Sequence, residues 1–587
     1  MMRAIMKIFD FKKLTVFLSA GLLCICARSQ TFLVTTTGDS GPGSLRDAMT
    51  NALFAGGGTI VFTNVAGTIS LQSALPDISV DLTIVGNVPA NVTVDGNQLY
   101  RIFRVAPGIA CEISGLNLQR GFASTNSSPL YSRGAILNEG SLNLSNCFLH
   151  DNGPAPNYPP GTIGGGTLAS SGDSLVLNYV TISNNYSRTP SGLSASNVSA
   201  TNCLFIKNRT DDGAPIGVGG DSVFSDSTFT QNTAWLTGKG GGISAGGNLT
   251  LLNCYITNNY GDYGVNGIEF KGNNLFISNS VINNNTGSSH ISAIEASGSN
   301  IVILNSSICG NYSDGSYGIK LDGNACLSGC TISSNKNGSG FNSGISISGT
   351  LNLTNCTISG NKSTYQPGSA IEMGNNSTVQ AVNCMIAYNG FGVQNGGGTF
   401  YALNTIIANN GTGPTNGDFF GTLTSRGYNL IGNLRTNTII VGSTNGNIYG
   451  RDPLLGPLQN NGGPTPTHAL MKGSPAIDAG TNAGAPLTDQ RGVARPYGKA
   501  VDIGAFESEY NVLRFTDVSP LNSTNVHLQV EGLPGSICTI QASSNFLDWE
   551  NVVASSNGLT GILEFVDQDA ANHPNRFYRA LTDEYSP

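Results

Sequence analysis

Through the middle of the chain, apolar and polar residues alternate in short runs, and every run closes in the same way. Leu351–Asn361, LNLTNCTISGN, is the clearest copy. Aligned on Asn355, the copies place Asn146, Tyr179, Asn202, Asp226, Asn253, Asn279, Asn305, Gly329, Asn383 and Asn404 in the same column. Three residues on, the column is Leu, Ile or Phe, and six residues on it is always Asn: Asn152, Asn185, Asn208, Asn232, Asn259, Asn285, Asn311, Asn335, Asn361, Asn389 and Asn410. Copies are 21 to 33 residues apart, the period of a solenoid, in which each unit buries its apolar face only by stacking on the next. Period-2 alternation points Leu351, Leu353, Cys356 and Ile358 to one side. Strands this short stack on their copies in the next coil at ~4.8 Å to form sheets along the array. The Asn columns are expected at the corners, where Asn tolerates left-handed backbone and its amide can bond its copy one coil away. Runs such as Gly164-Gly165-Gly166 and Gly240-Gly241-Gly242 supply positive φ before the next strand. The pattern predicts an all-β right-handed parallel β-helix with three sheets.

The pattern changes at both ends. Thr31–Thr36 reads as a strand, and Ser44-Leu45-Arg46-Asp47 is a capping box opening a helix to about Phe54. Such a helix would cover the apolar end of the first coil. Irregular first coils start at Gly58, and the regular array runs over 134–410. After it comes a Pro/Gly-rich stretch without periodicity, expected to lie against the last coils as a cap, with Arg491 and Arg495 in an ion-pair network among Asp478, Asp489, Asp502 and Glu507. From Val512, short strands at roughly 8–12-residue spacing predict a small C-terminal β-sandwich with Trp549 in its core. The expected organisation is therefore a signal peptide (1–29), N-terminal cap and first coils (30–133), regular repeats (134–410), last coils and cap (411–510), and sandwich (511–587).

Composition agrees with such a sheet-rich rod. Charged residues are 11% and glycines number 77 in 587, against ~25% charged and ~7% Gly in ordinary proteins. A net charge of −8 without clustered Lys and Arg beyond the N-terminus argues against nucleic acid. Arg3, Lys7, Lys12 and Lys13 precede the apolar run Leu14–Ala27, and Ala27-Arg28-Ser29 offers a cleavage site before Gln30, so export is expected. No second apolar span follows, which excludes a transmembrane segment in the mature chain. Cys147, Cys203, Cys254, Cys330, Cys356 and Cys384 share one repeat position with Ser227, Ser280, Ser306, Thr405 and Val180. Small residues alternating with Cys at one inward position predict buried free thiols rather than bridges.

Several motifs carry a family resemblance. Asp39-Ser40-Gly41-Pro42-Gly43-Ser44-Leu45-Arg46, followed by TIVF and GTISL, resembles the start of secreted bacterial right-handed β-helix proteins of the pectin lyase-like fold. Asp452-Pro453-Leu454, Asn461–His468, Gly473–Gly480, Asp489-Gln490-Arg491-Gly492 and Asp502–Glu507 resemble the choice-of-anchor Q segment of that group. The match covers about residues 31–508. Members usually continue into a sorting anchor or adhesive repeats, whereas Trp549 and Asp569…Arg576-Phe577-Tyr578-Arg579 here resemble C-terminal domains of exported verrucomicrobial proteins. Ser225–Asn232 is similar to the repeats of polymorphic outer-membrane proteins, without their barrel. The resemblance implies an extracellular or cell-surface role and no defined reaction.

Candidate chemistry lies in one outward column: Ser244, Glu269, Glu295, Lys320, Ser346, Glu372 and Gln394. Glu269 and Glu295, one coil apart, would meet the ~5 Å separation of retaining glycosidases, with Lys320 next. The same spacing arises in any stack, so an ion-paired surface column is the simpler account. Asp211-Asp212, Asp95 and Asp322 read as turn or strand-end residues. No cofactor is expected, and calcium, which needs six to eight oxygens, has no defined motif here. The five histidines are scattered, and His468 reads as structural. Exposed Tyr255, Tyr260, Tyr263, Tyr312 and Tyr317 suit glycan contacts. Loops such as Pro154–Thr162 or Asn208–Gly220 would wall a cleft in an enzyme. The expected function is adhesion, glycan binding or structural support, with extracellular polysaccharide or cell-surface components as partners. The competing expectation is a polysaccharide hydrolase or lyase using Glu269, Glu295 and Lys320.

Overall fold

The computed structural model describes residues 30–87, 89–122, 134–154, 167–187, 192–235, 240–288, 291–315, 317–338, 342–364, 367–411, 417–434, 438–509, 513–532, 535–558 and 560–582. The signal-peptide expectation, His290 and most of Pro154–Thr162 lie outside them.

Each coil is built from the repeat unit read above. In one typical coil, Ile243–Ala245 and Leu249–Leu252 form one side, Tyr255–Thr257 follows the corner, and Tyr260–Gly261 makes a short fourth strand. In three central coils the first two strands fuse, as Ile291–Leu304, Tyr317–Ser328 and Asn342–Thr354. Neighbouring coils pair in parallel and in register, and the result is a parallel β-solenoid of about 14 turns with stacked sheets of 27, 16 and 8 strands. Ile256, Ile282, Ile308, Ile332, Ile358, Ile386 and Ile407 form one inward column, each fully buried.

The two Asn columns divide the corner work between them. The first is left-handed throughout, from Asn146 (φ 51°) to Asn404 (φ 48°). The second is not left-handed: the residue before it is, as at Asn258 and Asn284, and this turns the Asn side chain into the rod. There Asn259 donates from its backbone N–H (3.1 Å) and Nδ2 (2.9 Å) to Asn285 Oδ1, and from Nδ2 to Phe229 O (3.0 Å). The motif repeats from Asn152 to Asn410, where Asp418 accepts from the last Asn at 2.8 and 2.9 Å. Buried corner groups are thereby paired, as a dry interior requires.

The cysteine column is buried and its thiols are free, as expected. Cys254 Sγ donates to Leu252 O (3.3 Å) and Phe224 O (3.4 Å). Ser280, one coil on, accepts from Cys254 N–H (3.0 Å) and donates to Ser278 O (2.8 Å). Burial pushes the Cys254 thiol up to about 12 and those of Cys147 and Cys203 up to about 11, so these groups are inert hydrophobes.

At the N-terminal end, helix α1 (Leu45–Ala55) forms where the capping box predicts, with Ser44 Oγ accepting from Asp47 N–H at 3.1 Å. Its buried face, Leu45, Ala48, Met49 and Ala52, packs on the strands Thr31–Val34 and Gly58–Phe62. The solenoid runs two coils beyond Asn410, through Thr422–Arg426, Leu430–Ile431, Ile439–Ser443 and Ile448–Tyr449. The Pro/Gly-rich stretch does lie against the last coils, but along their flank. Thr465 Oγ1 donates to Gly329 O (2.8 Å), Asn355 Nδ2 to Thr488 O (2.7 Å), and Asn404 Nδ2 to Thr481 O (2.8 Å). Met385, Ala387, Ile406 and Ala408 point out of the solenoid and are covered by Leu470, Ala476, Ile503 and Ala505 in a second apolar core. The end strand Ile439–Ser443 pairs on one side only, and Ile439 remains 58% exposed.

The C-terminal region holds two three-stranded antiparallel sheets around Leu528, Val530, Cys538, Ile540 and Leu563. Trp549 is not in this core, contrary to expectation. It is partly exposed, under the Arg579 guanidinium at 4.2 Å and beside Phe546, because it sits on the loop before Glu550–Ser556 rather than within a strand.

Candidate functional site

The outward column read from the sequence exists in register. Ser244 pairs with Glu269, Glu269 with Glu295, Glu295 with Lys320, Lys320 with Ser346, Ser346 with Glu372 and Glu372 with Gln394. The side chains do not use that spacing as a catalytic pair would. Glu269, 6% exposed, turns back one coil to accept from Ser244 Oγ (3.0 Å) and binds Lys271 Nζ at 2.5 Å. Glu295 turns forward one coil to Lys320 Nζ at 3.0 Å, and Asp322 lies 3.5 Å from the same ammonium. The Glu269 hydrogen bond holds the Lys271 ammonium above its ordinary range. Burial works against the charge on Lys320, but Glu295 and Asp322 outweigh it and raise that group too. Lys271 and Asp322, each two residues along a strand from a column member, were not read as its partners in the sequence, although period 2 puts them on the same face.

Lys271, Asn273, Glu295, Ser297, Ser299 and Asp322 line a shallow surface depression of about 620 Å³. Glu372 stands apart: burial alone raises its carboxyl, and it lies three coils from Glu295, ~14 Å at the parallel-sheet spacing. That exceeds the ~6.5–9.5 Å of an inverting carboxylate pair.

The remaining candidates fall in separate places. Asp211 accepts from Tyr186 OH (2.5 Å) and lies 3.9 Å from Arg209. Asp95 is buried at a strand end, accepting from Asn97 N–H and Gln119 Nε2 at 2.8 Å and ion-paired with Arg120. His150, His527 and His573 each bond a nearby Asp, namely Asp151, Asp517 and Asp569. His468 is buried between Gly456 O (2.7 Å) and Ser359 Oγ (2.8 Å), and burial lowers its pKa. Among the described residues, no group of three or more His, Cys, Asp or Glu is placed to hold a metal ion, and no helix is long and apolar enough to cross a membrane.

The Arg/Asp/Glu cluster of the flanking stretch is a folding device. Arg495 is ion-paired to Glu507 at 2.8 Å and donates to Asp502 O (3.0 Å) and Gly504 O (2.8 Å). Arg491 pairs with Asp489 at 2.9 Å and lies over the Phe506 ring at 3.6 Å. Asp502 accepts from Asp478 N–H (2.7 Å), and Glu507 accepts from Tyr497 N–H (2.9 Å). Burial raises Glu507 to about 7 and Asp502 to about 6. Nearly every acceptor and donor is spent on the backbone of the stretch itself.

The fold and this face define a parallel β-solenoid with a polar, charge-paired lateral surface. No family model matches the chain, and no curated protein matches it. Among solved structures it is similar to the A-module of the mannuronan C-5 epimerase AlgE6 of Azotobacter vinelandii, at 14% identity and a TM-score of 0.20, over 72% of this chain and 100% of that one. At that TM-score the likeness carries no functional argument.

Proposed function

We propose that the protein is exported and works outside the cell as a rod that binds polysaccharide. The observation that carries this reading is the state of the carboxylates. Glu269 and Glu295 are each already neutralised by a lysine and turned away from one another, beside a shallow open depression. A hydrolase needs one carboxyl kept protonated within reach of a second, ionised one. Burial raises the Glu372 carboxyl, but it has no partner at the required distance. Export rests on the basic and apolar N-terminal segment, and surface residence on the choice-of-anchor Q-like motifs.

The test uses the chain from Gln30 onward with a panel of soluble and insoluble polysaccharides. Retention on at least one polymer without new reducing ends or unsaturated-uronate absorbance is the expected result. Chain cleavage that is lost in Glu269→Gln, Glu295→Gln or Glu372→Gln would replace this reading with the hydrolase or lyase.

A further inference from the structure

The short fourth strands build a face that the charge-paired column does not use. Their register sets Tyr186, Arg209, Thr233, Tyr260, Thr286 and Tyr312 in one outward column. Two residues further along each coil come Asp211, Trp235, Asp262, Ser288 and Asp314, of which Asp211, Trp235, Asp262 and Asp314 donate their backbone N–H to the coil before. Planar groups of the two columns follow one another from coil to coil. The Arg209 guanidinium lies over the Tyr186 ring at 5.5 Å and the Trp235 ring at 5.1 Å, and Trp235 and Tyr260 are 6.0 Å apart. Trp235 is 41% exposed, which an isolated core aromatic would not be. Four successive coils thus carry a ribbon of flat faces ~15 Å long.

The carboxylates on this face have a period of their own. Asp211, Asp262 and Asp314 stand on alternate coils, so they recur every ~10 Å. Each is oriented by a phenol: Tyr186 OH donates to Asp211 (2.5 Å), Tyr260 OH to Asp262 (3.3 Å) and Tyr312 OH to Asp314 (2.6 Å). Ser288 Oγ adds a bond to Asp262 at 2.8 Å.

We propose that this stripe is a binding platform for a neutral, extended β-1,4-linked polysaccharide lying along the rod. The inference rests on the polysaccharide-binding reading and adds the face and the ligand class. A β-1,4-linked chain is a flat ribbon that presents the same hydroxyls on every second sugar, and two coils have nearly that pitch. Its C–H faces pack on aromatic rings, and its hydroxyls donate to carboxylates in charge-assisted bonds. Three acidic groups along the track repel a polyuronate. Lys336 and Lys362 continue the column past Tyr312 and mark where the neutral track ends.

The test is affinity electrophoresis of the chain from Gln30 onward in gels containing xylan, glucomannan, hydroxyethyl cellulose, alginate or polygalacturonate. Trp235→Ala and the near-isosteric Asp262→Asn are compared with Glu112→Gln, an exposed position on Ala110–Ser114 in another sheet, and circular dichroism checks that each variant folds. The expected result is retardation by a neutral β-1,4-glycan that weakens roughly tenfold or more in both stripe variants and is unchanged in Glu112→Gln. Neutral-glycan retardation unaffected in the folded stripe variants overturns the stripe but leaves the polysaccharide reading standing. Retardation by polyuronates alone likewise overturns it and leaves the broader reading. Failure to bind any polysaccharide overturns both.

Discussion

Replacing Asn285 by Ala tests whether the buried ladder holds the rod together. The Asn285 side chain donates to Ile256 O (2.9 Å) and Asn311 Oδ1 (2.9 Å) and accepts from Asn259 N–H (3.1 Å) and Asn259 Nδ2 (2.9 Å). Asn311 Oδ1 keeps a partner after the change, because the Asn285 backbone N–H still reaches it at 3.0 Å. Two groups are left without a partner, the Asn259 backbone N–H and one Asn259 amide hydrogen, while the Ile256 carbonyl loses one donor but stays in the ladder between Tyr255–Thr257 and Val281–Asn283. Each buried orphan costs about 1–3 kcal/mol, so the variant should lose roughly 2–6 kcal/mol, a large part of an ordinary domain's stability. Asn285→Asp should be no better. A carboxylate can accept from Asn259 but cannot donate to Ile256 O, and it faces Asn311 Oδ1 with a negative charge. Asp418 is tolerated at the ladder's end because it only accepts there: from Asn410 on one oxygen and from Asn433 N–H on the other. A solenoid opens coil by coil, so the readout is hydrogen exchange by mass spectrometry on peptides spanning 250–312, alongside urea melts. Loss of protection in those coils, with distant coils unchanged, is expected. A cost below about 1 kcal/mol would refute the ladder as a structural element.

Other outcomes follow from the same contacts. Cys254→Ser should change stability by less than about 1 kcal/mol, because Ser already fills this column at Ser227, Ser280 and Ser306 with the same bond to the carbonyl two residues back; Ellman's reagent should find the column thiols unreactive until the chain is unfolded. Ser44→Ala removes the cap of α1 and should cost about 1 kcal/mol, seen as faster exchange at Asp47 in that helix. The flanking stretch should show two opposing pH-dependent contributions in urea melts. Glu507 and Asp502, raised by burial to about 7 and about 6, give stability that is full below their unfolded values of about 4 and is lost as pH rises through 6 to 7. His468, lowered by burial, gives stability present above about 6.5 and lost as pH falls. Glu507→Gln should weaken the loss of stability with rising pH and His468→Gln should weaken the opposing gain, and a profile unchanged by both would contradict the assignment.

The solenoid was legible because its physics is local and repeated. A strand of four residues with one apolar face, a left-handed Asn and a buried Asn six residues after the repeat begins are all visible in a single line of sequence, and copying them enforces the register. The outward column from Ser244 to Gln394 was read correctly for the same reason. The ion-paired account of it was legible too, since Lys320 does meet Glu295. The partner of Glu269 was not, because whether Glu269 meets Glu295 or Lys271 depends on which way a flexible side chain turns, and periodicity carries no such information. The course of the flanking stretch was half legible. The strands Thr331–Ser333 and Thr357–Ser359 give way to Met385–Ala387 and Ile406–Ala408, and apolar residues on both faces announce a strand covered on both sides. That signal sits in the covered strands rather than in the segment that covers them, where irregular backbone leaves no period to read. Trp549 was misplaced on size alone, although a Trp beside Leu547-Asp548 at a turn has as good a reason to lie on the surface under Arg579. Repetition therefore places side chains in columns with high fidelity, while their partners are chosen by neighbours two residues along the strand or one coil away. The two faces illustrate the consequence. Where Lys follows Glu along a strand, as at Lys271 after Glu269, the charges cancel in place. Where Asp follows Tyr, as at Asp262 and Asp314, the partner along the chain is a neutral phenol rather than a cation.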